Sequence, residues 1–198
     1  AEVVRGDFRN TDDVKRAMSG VGNVCLIPPR FREDELDIGK RVVDAAVEEG
    51  VSHFLFSSAY HSQIEELGHH WQKLRLEEYL INTDLRVSVV QPSMFMQNIR
   101  VEWPNVIKTG VYARPYSPDS LMNIIDTSDL AEAMARIMLE TQFQGASYEL
   151  CGSELLSHNE MAEIISGELG RQVVALQRDL SDWQDWAREN NWTAYAIE

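Results

Sequence analysis

Short apolar runs and helical periods alternate along this chain in units of about 20 to 30 residues, the pattern of a parallel sheet with helices on its faces. Val3 and Val4 read as a short strand ending at Gly6 and Asp7, and a helix over 11–19 follows, with Asn10 or Thr11 placed to cap it. A continuous apolar strand over 23–27 is stopped by Pro28 and Pro29. The spacing of Val42, Val43, Ala46 and Val47 predicts a helix over 34–49, which Gly50 ends because glycine takes a left-handed turn at little cost. A buried strand at 53–57, a helix over 67–80 and a strand over 85–91 ended by Pro92 complete the regular part.

Beyond Pro92 the rhythm loosens. A helix interrupted by Pro104 is expected over 93–108, and 112–118, rich in Pro and Tyr, reads as a loop. Strands follow at 121–125, 147–151 and 171–176, with helices at 129–139, 158–169 and 181–192; Trp183 and Trp186 share one side of the last. The fold class is therefore α/β. Its 198 residues suit a single domain, with a sheet core over 1–92 and a mixed, smaller part over 93–198.

Eighteen basic and 32 acidic residues give a net charge of −14, which repels phosphate backbones and anionic membranes, so nucleic acid and membrane partners are disfavoured. No apolar run is long enough to span a bilayer and the N-terminus carries no signal region, which places the chain in the cytoplasm. Cys25 and Cys151 have no metal or disulfide spacing and read as small core residues. Ala1 stands at the edge of the first strand, as in a chain that starts in mid-fold.

In open parallel sheets ligands bind at the carboxyl ends of the strands. Here those ends are Asp7, Pro28 and Pro29, Ser57 and Ser58, and Pro92 with Phe95 and Asn98 just beyond. His69 and Lys73 lie one turn apart on a helix, so an imidazole and an ammonium share one face, a proton donor tuned by a nearby cation. The ammonium should lower the imidazole pKa, and both side chains are expected to face solvent. His69 and His70 diverge too far to hold a metal, and no metal site is expected. The one Gly-x-Gly, Gly20 to Gly22, precedes a strand and reads as a turn, so the sequence contains no glycine-rich phosphate loop.

Residues 4–7 (VRGD), 39–54 (GKRVVDAAVEEGVSHF), 56–58 (FSS), His69-x-x-x-Lys73 with 78–80 (EYL), 91–98 (QPSMFMQN), 124–131 (IIDTSDLA) and 148–152 (YELCG) together resemble the NmrA-like family of atypical short-chain dehydrogenases/reductases. The resemblance implies a Rossmann-like sheet with a smaller substrate-facing C-terminal part, and NAD(P)H as cofactor. It would put Asp7 near the adenine, Pro28, Pro29 and Pro92 along the dinucleotide, Ser57 and Ser58 near the nicotinamide, and Lys73 on its ribose. Phe95 and Asn98 would face substrate. His69 stands where the dehydrogenase Tyr-x-x-x-Lys has its tyrosine.

The family's opening strand, glycine loop, helix and second strand are not matched, so residues 2–5 are expected to pair in parallel with 23–28, and NAD(P)H binding by this chain to be weak or absent. Three functions stay open. One is an NAD(P)H-dependent reductase of a small molecule such as a quinone or other conjugated carbonyl. The others are a non-catalytic regulator that senses nucleotide or binds a protein, and a cofactor-independent isomerase or cyclase using His69 and Lys73. A small-molecule substrate is the expected partner, with a protein partner or a homodimer as alternatives.

Overall fold

The computed structural model describes residues 2–197, which form two compact units. The first comprises residues up to Pro92 together with Ser128–Leu150; the second comprises Ser93–Thr127 and the residues from Cys151 onward.

The first unit opens with α1 (Thr11–Met18), whose free N–H groups at Asp12 and Asp13 are taken by the Asn10 side chain. Then come β1 (Asn23–Leu26), α2 (Glu35–Glu48), β2 (His53–Ser57), α3 (Gly68–Ile81) and β3 (Val87–Pro92). The short β4 (Met94–Phe95), α4 (Trp103–Thr109), β5 (Val111–Arg114) and β6 (Met122–Ile125) belong to the second unit; α5 (Thr127–Leu139) and β7 (Ser147–Leu150) return to the first. The chain closes with β8 (Leu155–Leu156), α6 (His158–Leu169), β9 (Val174–Gln177), α7 (Leu180–Glu189) and α8 (Ala194–Ile197).

The first sheet runs β1-β2-β3-β7 and is parallel throughout, with Leu55 opposite Cys25 on one side and Ser88 on the other. A parallel sheet is covered on both faces, and β2 (HFLFS) is accordingly buried at every position. Phe54, Phe56 and Val89 point into the core shared with Val42, Ala46, Leu76 and Leu80 of α2 and α3. Leu55 and Val90 point the other way and are also fully buried.

Helices α2 and α3 approach closely because position 39 has no side chain: a Cβ there would overlap Leu76 Cδ2 and lie 2.9 Å from Cδ1. Gly39→Ala should therefore lower stability by about 1 to 2 kcal/mol, since overpacking outweighs the gain in helix propensity. Urea denaturation tests this, and Leu76→Val in the same chain should recover part of the loss.

The predicted strand at 2–5 is not formed. Residues 2–7 are irregular, β1 pairs with β2 alone, and Val3 is 85% exposed. Val4, Gly6, Asp7 and Phe8 instead line a recess of about 160 Å³ with Val14, Ala17 and Met18 of α1 and Val42 of α2. In β1, Val24 and Leu26 face the core while Cys25 lies on the other face, which is uncovered at that strand, so Cys25 is exposed rather than in the core. Cys151 is exposed as well.

In the second unit β4-β6-β8 form one small sheet and the parallel pair β5-β9 another. The predicted loop at 112–118 is a strand up to Arg114, because Tyr112 and Ala113 pair with Ala175 and Leu176. Its core gathers Val106, Tyr112, Met161, Ala162, Ile165, Val173 and Ala175. No described helix is long and apolar enough to cross a membrane.

Candidate functional site

At the carboxyl edge of the first sheet, Pro28 follows β1 and is buried, Ser57 ends β2 in register with Val90, and Pro92 ends β3. Pairing continues past Ser57, with Ser58 N–H donating to Val90 O at 2.8 Å and Tyr60 N–H to Pro92 O at 3.1 Å. Ser57 and Ser58 are thus held rigidly at the strand end, both buried.

Helix α3 lays its polar residues against that end. Lys73 is not solvent-facing as expected from sequence: only 7% of it is exposed, and its Nζ lies 2.8 Å from Glu35 Oε1 and 5.6 Å from the centre of the Phe56 ring. Glu35 is 1% exposed, and burial pushes its carboxyl pKa up while Lys73 opposes that rise. The contact is an ion pair, and Glu35 Oε2 has no hydrogen-bond partner among the described residues. One turn further on, Glu77 accepts from Ser58 Oγ and, at 2.9 and 3.0 Å, from Gln91 Nε2, which also reaches Ser62 Oγ at 3.3 Å.

His69 sits one turn before Lys73, half-buried between the Phe31 ring at 4.7 Å and the His70 ring at 4.4 Å. Its pKa is lowered to about 4, first by burial, then by His70, and only after that by Lys73 and Arg30. The direction matches the sequence argument; the main cause is different. His70 is lowered too, chiefly by burial, and its Nδ1 stands 3.3 Å from His61 O.

Phe31 and His61 both have positive φ, 58° and 55°, a conformation that costs a bulky residue energy and persists only where surroundings enforce it. Gln72 helps enforce it, donating from Nε2 to Arg32 O (3.1 Å) and accepting from Leu36 N–H (2.9 Å). The structure thus sets Lys73 against Phe56 and Glu77 against Ser58 at the end of β2, while His69, one turn before Lys73, packs on Phe31 and His70.

Asp7 lies apart from that group, exposed, with its N–H donating to Asp13 Oδ2 at 2.9 Å and its Oδ1 accepting from Arg9 N–H at 2.9 Å. Its recess is apolar with two carboxylates at the rim, which fits an adenine ring and its amino group. Neither α1 nor α2 offers a pyrophosphate cradle. The α1 N-terminus is sealed by Asn10 and followed by Asp12 and Asp13, and α2 begins with Glu35 and Asp37, which repel phosphate. Pro29 is half-buried beside Pro28. Phe95, in register with Ile125, and Asn98, whose carbonyl accepts from Arg114 Nη2 at 3.3 Å, belong to the second unit. No cluster of three metal-ligating side chains occurs among the described residues.

Sequence reasoning missed Glu35, Gln72 and Glu77. The i,i+4 spacing of Lys73 and Glu77 was a usable signal for the last; nothing local marked Glu35 as the partner of a lysine 38 positions away.

The sequence pattern of the NmrA-like family matches residues 1–185. The chain belongs to that family. Among curated relatives, an NAD(P)H azoreductase of Xenophilus azovorans is 24% identical over 87% of this chain and 60% of its own length. Quinone oxidoreductase 2 of Escherichia coli is 22% identical over the same shares. The chain therefore spans about 60% of the length of these curated relatives. The solved NADPH complex of the Escherichia coli NADPH-dependent quinone oxidoreductase superposes with a TM-score of 0.86 at 20% identity, over 98% of this chain and 69% of that one. NmrA, a negative transcriptional regulator solved with NAD, gives 0.75 at 21% identity, over 88% and 58%. These likenesses establish the Rossmann-like α/β fold.

Proposed function

We infer that this NmrA-like chain forms part of an NAD(P)H-dependent reductase of a small molecule such as a quinone or other conjugated carbonyl, with Ser57, Ser58, His69 and Lys73 as its centre. The observation that supports this most is the buried Lys73, fixed by Glu35 at the end of β2 with His69 one turn away. A lysine confined in that way holds its remaining N–H groups in a set direction, as recognition of ribose hydroxyls requires. Ser57 and Ser58 add hydroxyls at the same strand end, Pro28, Pro29 and Pro92 form a wall with no N–H to compete, and Asp7 offers acceptors to an adenine amino group. When bound, the nicotinamide supplies a hydride.

His69, neutral near pH 7 with its pKa at about 4, presents one N–H and one lone pair, so it can hold or pass a proton at a substrate oxygen.

Because these residues contribute adenine and ribose contacts but no cradle for the pyrophosphate, the chain should bind NADPH only weakly, with Kd near about 1 mM. Saturation-transfer NMR suits that range. Expected are signals at the adenine and ribose protons, loss of the nicotinamide-ribose signals in Lys73→Met, and benzoquinone reduction slowed about 100-fold in His69→Ala. Absence of any transfer from NADPH to the unaltered chain would overturn the reading; transfer without turnover would leave a nucleotide sensor.

A further inference from the structure

The second unit contains a polar group that the reductase reading does not use. At the carboxyl ends of the parallel pair β5 and β9, Arg114 and Arg178 emerge side by side, the Arg178 N–H donating to Arg114 O at 2.7 Å. His158, the first residue of α6, lies against them with its ring 5.4 Å from Tyr112 and 4.6 Å from Tyr116. Glu102, which precedes α4 and is 2% exposed, pairs with Arg178 at 3.3 Å.

Burying a polar atom with nothing to bond it is costly, and such atoms concentrate here. Glu102 Oε1, Arg114 Nε, Arg178 Nη1 and both ring nitrogens of His158 are buried with no hydrogen-bond partner among the described residues. His158 itself is only 2% exposed. Carboxyl strand ends are where ligands bind in parallel sheets, and the unpartnered imidazole and guanidinium nitrogens supply donors there.

The charges select the ligand. Glu102 neutralises Arg178, whereas Arg114 has no carboxylate within ion-pair distance among the described residues; it bonds the Asn98 carbonyl and stands 5.6 Å from the Tyr112 ring. One positive charge is left over, in a chain whose net charge is −14. A carboxylate matches a guanidinium edge by two parallel bonds, while the buried Glu102 disfavours a dianion such as phosphate. The half-buried Tyr116 ring gives a flat apolar body something to pack on.

We propose that Arg114, His158 and Tyr116 form a binding site for the carboxylate of a small aromatic monoacid, with Arg114 Nε and the His158 N–H as donors. The site lies within one unit and needs no nucleotide, so it stands or falls separately from the reductase reading.

Calorimetric titration of the full chain with benzoate at pH 7.5, without nucleotide, tests it. Saturable binding at one site is expected, about tenfold or more tighter than for benzyl alcohol and for inorganic phosphate. Arg114→Met should weaken benzoate about tenfold and His158→Phe several-fold. In the unaltered protein, amide shifts on adding benzoate should centre on residues 114–116, 158 and 178, a measurement that does not depend on either variant folding. No benzoate binding, equal affinity for benzyl alcohol or phosphate, or shifts centred elsewhere would each refute the site.

Discussion

Replacing Glu35 by alanine should destabilise the first unit by about 3 to 5 kcal/mol, among the largest losses expected of any single substitution in this chain. The reason is what remains. Lys73 is 7% exposed, and once the carboxylate 2.8 Å away is gone no other carboxylate among the described residues pairs with its ammonium, which keeps the Phe56 ring 5.6 Å away. A desolvated cation–π contact contributes about 2 kcal/mol, less than the roughly 3 to 5 kcal/mol that an uncompensated buried charge costs. Glu35→Gln keeps the shape and loses the charge, so its cost should fall between those of alanine and wild type. Glu35→Met with Lys73→Met should restore most of the stability, because two apolar side chains of similar volume need no desolvated partner. Urea denaturation of the four proteins, followed by amide signals of β2 and α3, ranks these costs. A loss below about 1 kcal/mol for Glu35→Ala would show that water reaches the pair and screens it.

That pair also shows where the sequence stops being informative. The strand HFLFS was legible because the short apolar run Phe54–Phe56, set between the helix-ending Gly50 and the Ser57–Ser58 pair, is too short for a helix and fits a strand buried on both faces, as it is. Helix α6 was legible at 158–169, and the structure shows the local chemistry that holds it, a Ser157–Glu160 capping box at one end and Gly170 at φ 63° at the other. Lys73 misled for the opposite reason. Its helix turns Lys73 and Glu77 inward beside Leu76 and Leu80, and a charged residue on a helix reads as solvent-facing until its partner on another helix is known.

Long-range pairing accounts for the other discrepancies. Pro115 and Pro118 do mark a loop, yet the residues just before them form a strand because Val174–Gln177, about 60 positions later, supplies their ladder. Val3 and Val4 have strand propensity with no strand to receive them among the described residues, so they lie irregular while Val4 lines the recess over α1 and α2. Of the candidate site, Ser57, Ser58 and His69 could be placed from strand ends and helical spacing, and Glu77 lay one turn from Lys73, whereas Glu35 and Gln72 are visible only once α2 and α3 are packed.

Acidification should weaken both units between pH 6.5 and about 4, and histidines rather than carboxylates should carry most of the effect. His158 and His69 each have a native pKa of about 4 against an ordinary 6.5, so in that window the unfolded chain binds a proton that the native chain refuses. Stability is then complete above pH 6.5 and declines as the pH falls. The cost is about 1.4 kcal/mol per pH unit, or about 3 kcal/mol for His158 by pH 4. Burial is the main cause, and Arg114 adds to it. His69 should contribute less, because it is only half-buried and solvent screens its neighbours. His53, also lowered by burial, acts in the same direction.

Glu35 acts in the opposite one. Its raised pKa means that the native state takes up a proton before the unfolded chain does, which offsets part of the loss as the pH nears the ordinary carboxyl range. Asp13 and Glu160, both lowered, withdraw stability only below that range. Amide exchange in α6, measured at pH 7.5 and pH 5, should therefore show protection falling with acid in the wild type. In His158→Phe the dependence should flatten, since a phenyl ring packs against Tyr112 and Tyr116 without titrating. If α6 of the phenylalanine variant loses protection with acid as steeply as the wild type, His158 is not the group that titrates, and its imidazole must already be solvated in the native state.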